Sequence, residues 1–189
     1  MRLVLASRSP RRQELLRRAG FAFEVRPSRM EEVVRPGESA EDFTCRAAQE
    51  KALDVAASSQ PDTLVLGADT VVVVNGELLG KPREAEDARR MLRLLSGLTH
   101  RVITGVCVVR APREIMALKY ESTSVTFRPL DEEEIQSYLA SGEPFDKAGA
   151  YGIQGLASRF VTRVEGCYFN VVGLPVALVY EILKPFTKA

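Results

Sequence analysis

The sequence predicts an α/β fold built on a mixed sheet flanked by helices, and three observations predict it. Short apolar runs suited to buried strands are interleaved with amphipathic helical stretches along the whole chain. Asn75-Gly76 marks a tight hairpin between two extended runs. Other strands, such as Leu3 to Ala6 and Phe21 to Val25, are separated by a helical stretch, as a crossover connection requires. At 189 residues the chain fits a single domain over 1–189, or two closely packed lobes.

Each element follows in order. Leu3 to Ala6 reads as a short buried strand. Ser9 is a good N-cap, and Pro10 suits the first helical position because its missing N–H would go unsatisfied there. Arg11 to Arg18 carries Leu15 and Leu16 on one face, and Gly20 ends the helix. Phe21 to Val25 alternates as a second strand, and residues 26–38, with Pro27, Pro36 and Gly37, form a loop. Ser39-Ala40-Glu41-Asp42 is written as a capping box for a helix running to about Ser58.

Thr63 to Ala68 is a strand that leads out into Asp69-Thr70, and Val71 to Val74 resumes extended structure. Residues 84–95 place Ala88, Met91, Leu92 and Leu95 on one helical stripe. Arg101 to Arg110 and Ile115 to Phe127 are long strands. Asp131 caps a helix that reaches Ala140 and stops at Gly142, and a glycine-rich loop spans 143–157. Phe160 to Val164 and Tyr168 to Val172 read as strands, and Pro175 opens a last helix ending near Lys184.

Composition narrows the function. Lys plus Arg total 26 against 25 Asp plus Glu, so no net field recruits nucleic acid or a membrane surface. Any anion site therefore rests on a local cluster. Cys45, Cys107 and Cys167 lie far apart, with no C-x-x-C pair, which fits reduced core thiols and argues against a disulfide frame or zinc site. The chain enters a strand at once and carries no long apolar targeting segment, so a cytoplasmic protein is expected.

Several residues could carry chemistry. In Ser7-Arg8-Ser9-Pro10-Arg11-Arg12 two cations stand where the helix dipole is already positive, which is unfavourable unless an anion joins them. Free N–H groups and guanidinium forks would then cradle a phosphate, the alternative being a solvated arginine pair. Asp69 sits at the exit of an apolar strand, where α/β proteins place ligands; a turn-capping carboxylate is its plainer reading. Glu31 and Glu32 add carboxylates from the preceding loop, unless they are a solvated pair. Glu32 with Asp69 would suit a hard divalent cation that also takes phosphate oxygens.

Gly76 to Pro82 only superficially resembles a phosphate-binding P-loop. Its glycine spacing is one residue short, and Pro82 replaces the magnesium-binding hydroxyl. Lys81 can still meet a phosphate as a point charge. Lys51 is a weaker candidate, with a solvent-facing helix lysine as the alternative. His100 is the only histidine, which leaves a Ser-His-Asp triad unsupported and points to a structural role. No tryptophan is present, and aromatic residues are sparse, so a base-stacking nucleic-acid platform is not expected. In Asp146 to Gly155 the glycines allow close backbone approach to a ligand, and the Gln154 amide can both donate and accept, as reading a base edge requires. A tight structural loop remains the alternative.

Taken together, Ser7 to Arg12, Gly67-Ala68-Asp69-Thr70-Val71-Val72, Gly80-Lys81-Pro82, Ser96-Gly97-Leu98-Thr99-His100 and Asp146 to Gly155 resemble the Maf family of nucleoside triphosphate pyrophosphatases, in the family's order. The Tyr151-Gly152-Ile153-Gln154 core is similar to the branch acting on dTTP and UTP. The resemblance implies an elongated, twisted mixed sheet with a central cleft between two lobes, related to inosine triphosphatase-like enzymes and often dimeric. It implies Asp69 as proton acceptor and Arg12, Thr70 and Gln154 as determinants of base choice. Ser7, Arg11, Arg12, Lys51 and Lys81 become triphosphate ligands, with Lys81 and Arg11 stabilising the departing pyrophosphate. Glu32 and Asp69 become partners of a divalent cation, Mg²⁺ or Mn²⁺. A 7-methyl-GTP or other modified-nucleotide pyrophosphatase, a nucleotide-binding regulator of septum formation, and a binder of nucleic-acid phosphates stay open as alternatives.

Overall fold

The computed structural model describes residues 2–187. They form two compact units. The first contains the chain up to Asp69, Thr104–Glu121 and the segment from Gly173 onward; the second contains Thr70–Ile103 and Ser122–Val172. The strands are β1 (Leu3–Leu5), β2 (Glu24–Val25), β3 (Leu64–Val74), β4 (Glu77–Leu79), β5 (Thr99–Arg110), β6 (Glu114–Phe127) and β7 (Val161–Glu165). The helices are α1 (Pro10–Arg18), α2 (Ala40–Ala56), α3 (Ala85–Leu95), α4 (Glu132–Ala140), α5 (Tyr168–Val172) and α6 (Val176–Thr187). Hydrogen-bonded neighbours run β2-β1-β3-β5-β6-β7, with β4 on β3. Parallel pairing of β1 with β2 and β3, beside antiparallel β3–β4 and β6–β7, makes the sheet mixed, as the sequence predicts.

In the first unit α2 lies against bare backbone. A side-chain carbon at Gly67 would collide with the carbonyl of Ala48 and the amide of Ala52, and one at Gly105 with the backbone of Thr44 and Cys45. Only glycine permits that approach. Ala48, Ala52, Val55 and Ala56 of α2 then close over Val4, Ala6, Val65, Cys107 and Val109 as one core. In the second unit the stripe Ala88, Met91, Leu92 and Leu95 of α3 shares a core with Ile135, Tyr138 and Leu139 of α4 and with Phe127 and Phe160. Among the described residues no helix is long and apolar enough to cross a membrane.

Four local expectations are corrected. β3 is continuous through Asp69 and Thr70, so Asp69 lies within a strand and not at its exit. The second strand is only Glu24–Val25, because Phe21 to Phe23 make no ladder. At Ser39 the hydroxyl accepts the Asp42 amide and itself donates to the Asp42 carboxylate, so the reciprocal capping box does not close there. It closes at the start of α4, where Asp131 and Glu134 satisfy each other's backbone amides. Tyr168–Val172 is a short helix despite its β-favouring residues. Buried Asn170 explains the difference: its amide donates to the Val102 carbonyl at 2.9 Å and to the Thr123 hydroxyl at 3.0 Å.

Candidate active site

The position of Asp69 follows from strand geometry. Alternate residues of a strand share a face, so Val65, Gly67 and Asp69 point the same way, toward the face that α2 covers at Gly67. Lys51 belongs to the buried stripe of α2, with Thr44, Ala47, Ala48, Ala52 and Val55. The glycine-permitted approach therefore brings a lysine of the helix onto a carboxylate of the strand.

The contact is direct. Lys51 Nζ donates to Asp69 Oδ1 at 2.5 Å and also to Glu32 Oε1. Asp69 is 3% exposed and Lys51 8%, whereas the Glu32 side chain keeps 40% of its surface open. One ammonium thus joins a buried carboxylate to one at the solvent margin. The other Asp69 oxygen, Oδ2, is buried and makes no hydrogen bond. Burial pushes the Asp69 carboxyl above the usual carboxylate range; Lys51 opposes the rise, Glu32 adds to it, and Arg12 opposes it.

The turn from β1 into α1 supports the same strand. Ser9 caps α1 by accepting the Arg12 amide, and Pro10 begins the helix as its chemistry predicts. Arg12 is buried, donating from Nε to the Gly173 carbonyl at 2.8 Å and from Nη1 to the Ala68 carbonyl at 2.9 Å and to Ser7 Oγ at 3.3 Å. Burial lowers the affinity of this guanidinium for its proton, Asp69 and Glu32 restore part of it, and Arg11 acts against it. The two cations of the first turn are therefore differently placed. Arg11 stays half-buried, while Arg12 is bound to the peptide units that precede Asp69 and begin the last segment.

Thr70, Lys81 and Gln154 belong to the second unit. Thr70 is half-buried in β3, and Lys81 is exposed just after β4. Gln154 is exposed on a turn fixed by its neighbours. Gly152 N donates to the Tyr138 hydroxyl, Gly155 N to the Gly152 carbonyl, and Leu156 N to the Glu143 carboxylate. The preceding Tyr151 hydroxyl meets His100 Nε2 at 2.8 Å. His100 and Phe127 stand edge-on at 5.0 Å, so the histidine is a core residue as expected.

The carboxylate pair fits a divalent cation in one respect and limits it in another. Asp69 Oδ2 and the open Glu32 carboxylate are hard oxygen donors. Among the described residues no group of three or more His, Cys, Asp and Glu could hold a metal ion. A cation here would depend on oxygen atoms of its substrate. The sequence underrated Lys51, yet a signal was present: it falls four residues after Ala47 and four before Val55, inside an apolar helical stripe. Arg46, which the sequence reading passed over, binds the loop carrying Glu32.

The family described as Maf-like protein matches residues 2–186. A protein of Anaeromyxobacter sp. (strain Fw109-5) named dTTP/UTP pyrophosphatase is 55% identical over 186 residues, covering 97% of this chain and 88% of that one. Its namesake in Koribacter versatilis (strain Ellin345) is 51% identical over 184 residues, covering 97% and 94%. A solved structure titled nucleoside-triphosphatase, dITP/XTP pyrophosphatase, from Mycobacterium abscessus covers 69% of this chain and 76% of that one at 16% identity, with a TM-score of 0.41. By the family match along its length and by these relatives, the chain belongs to the Maf family.

Proposed function

We propose that this protein is a cytoplasmic nucleoside triphosphate pyrophosphatase that hydrolyses dTTP and UTP between the α and β phosphates, releasing the monophosphate and pyrophosphate. The two bacterial relatives named dTTP/UTP pyrophosphatase support the substrate class. The observation that carries the chemistry is the Asp69 carboxylate. Lys51 holds and orients it through Oδ1, while Oδ2 is buried without a partner. A general base needs such an arrangement, with one oxygen fixed and the other able to take a proton.

Asp69 accepts the proton of the water that attacks the α phosphorus. Its raised proton affinity brings it toward the range in which a carboxylate works as a base near neutrality. Lys51 opposes that rise and so favours the ionised carboxylate before the step. Glu32 would hold Mg²⁺ or Mn²⁺ together with phosphate oxygens beside Asp69, whose Oδ2 is left for the proton, and the ion would supply positive charge against the triphosphate. Ser7 and Arg11 of the β1–α1 turn, with Arg12 behind them, are the proposed phosphate residues, and Lys81 and Arg11 the stabilisers of the leaving pyrophosphate. Thr70, Gln154 and Arg12 are proposed to set base choice, on the sequence resemblance.

The test is a panel of nucleoside triphosphates assayed for pyrophosphate release with Mg²⁺ or Mn²⁺. Fastest turnover of dTTP and UTP is expected. Fastest turnover of 7-methyl-GTP would overturn the substrate assignment, and nucleotide binding without any pyrophosphate release would overturn the enzymatic one.

A further inference from the structure

The loop over 26–38 has no regular structure beyond a turn, yet it must deliver Glu32 to one ammonium group. Helix α2 holds that loop at both ends. At its start, Asp54 accepts the Ser28 hydroxyl at 2.8 Å and the Arg29 amide at 3.0 Å. At its far side Arg46 donates from Nη2 to the Val33 carbonyl at 2.9 Å, one residue beyond Glu32. The same guanidinium makes a forked pair with Glu38, at 2.6 and 2.7 Å, and reaches Glu50 at 3.1 Å. Arg35, also in the loop, donates to Glu50 at 3.2 Å, which closes the network. Lys51, the residue Glu32 meets, lies on α2 between the two anchors.

An ordinary surface ion pair contributes little and has no reason to include a loop carbonyl. Arg46 instead uses its planar fork on Glu38 and spends a remaining donor on the peptide next to Glu32, a geometry that lysine cannot reproduce. We infer that Arg46 is a positioning residue that fixes Glu32 against Lys51 and thereby sets how tightly the site takes a divalent cation with its triphosphate. The inference rests on the proposed role of Glu32.

The test is a double-mutant cycle read in two ways: Mn²⁺ binding by electron paramagnetic resonance in the presence of a non-hydrolysable dTTP analogue, and the Mn²⁺ concentration for half-maximal turnover. Arg46→Ala is expected to weaken Mn²⁺ about tenfold or more, as loss of a supporting partner does. Arg46→Lys should restore little of it. Glu38→Ala removes the same clamp from the loop side and should act in the same direction, which keeps the test open if Arg46→Ala folds poorly. On a Glu32→Gln background neither change should weaken Mn²⁺ further. Equal losses with and without Glu32 would overturn the inference while leaving the site intact. Unchanged Mn²⁺ affinity in Glu32→Gln alone would overturn the role of Glu32 and the inference with it.

Discussion

Asp69 and His100 are equally hidden, at 3% and 1% exposure, yet they are built for opposite ends. Asp69 lies against the buried ammonium of Lys51, with the charge of Arg12 acting on it and one of its own oxygen atoms unpartnered. His100 lies among Phe127 and Tyr151, makes a neutral bond to a hydroxyl, and is held down to about 4 by burial. Burial alone does not make a titratable group reactive. At the carboxylate, opposite charges work against the rise that burial imposes and one oxygen is left unpartnered, whereas the imidazole is kept neutral by apolar walls and serves packing.

The contrast breaks most sharply at Asp69. Asp69→Asn keeps the shape and removes the proposed proton acceptor, so turnover should fall by about 10²- to 10⁴-fold, while Lys51 retains Glu32 as a counter-charge and the thermal midpoint should fall less than in Lys51→Met. Steady-state kinetics beside a melting curve checks both. Lys51→Met comes next. It leaves a buried carboxylate without its cation, at a cost of about 3 kcal/mol of stability, read by urea unfolding. Because Lys51 lowers the proton affinity of Asp69, its loss should also move the acid limb of kcat/KM to higher pH.

His100→Gln sharpens the other side. The native imidazole binds its proton less readily than the unfolded one, so the stability tied to its neutrality is present above 6.5 and is lost as pH falls through about 4. Across that window the wild type should lose roughly 3 kcal/mol more than His100→Gln, with turnover near neutrality changed less than in either variant above. Parallel stability curves would mean that burial does not hold this imidazole neutral. The smallest effect belongs to Gln154→Ala, an exposed residue. It should alter the ratio of dTTP to other triphosphate rates by on the order of tenfold without affecting stability, as competition assays would record.

Much of this was legible in the sequence wherever the signal is local. Ser9-Pro10, Asp131 and Asn75-Gly76 each state a cap or turn in neighbouring residues, and the structure follows them; Asn75 and Gly76 both take positive φ, at 50° and 80°. The signals failed where distant partners decide. Asp69-Thr70 looks like the end of a strand because polar residues interrupt an apolar run, but Lys51 and the face of α2 receive the carboxylate and the ladder continues. Tyr168–Val172 has strand-like residues, but the bonds of Asn170 to Val102 and Thr123 belong to a helix. The candidate site was legible only as a set of residue types. That Lys51 would be buried against Asp69 depends on Gly67 and Gly105 admitting α2, and that Arg12 would be fixed depends on the distant carbonyls of Ala68 and Gly173, which no single segment announces.

The most direct measurement follows the oxygen atom. With dTTP turned over in heavy-oxygen water, attack at the α phosphorus, assisted by Asp69, places the label in the monophosphate and none in pyrophosphate. Label recovered in pyrophosphate would mean that water attacks the β phosphorus, and would contradict the chemistry assigned to this carboxylate.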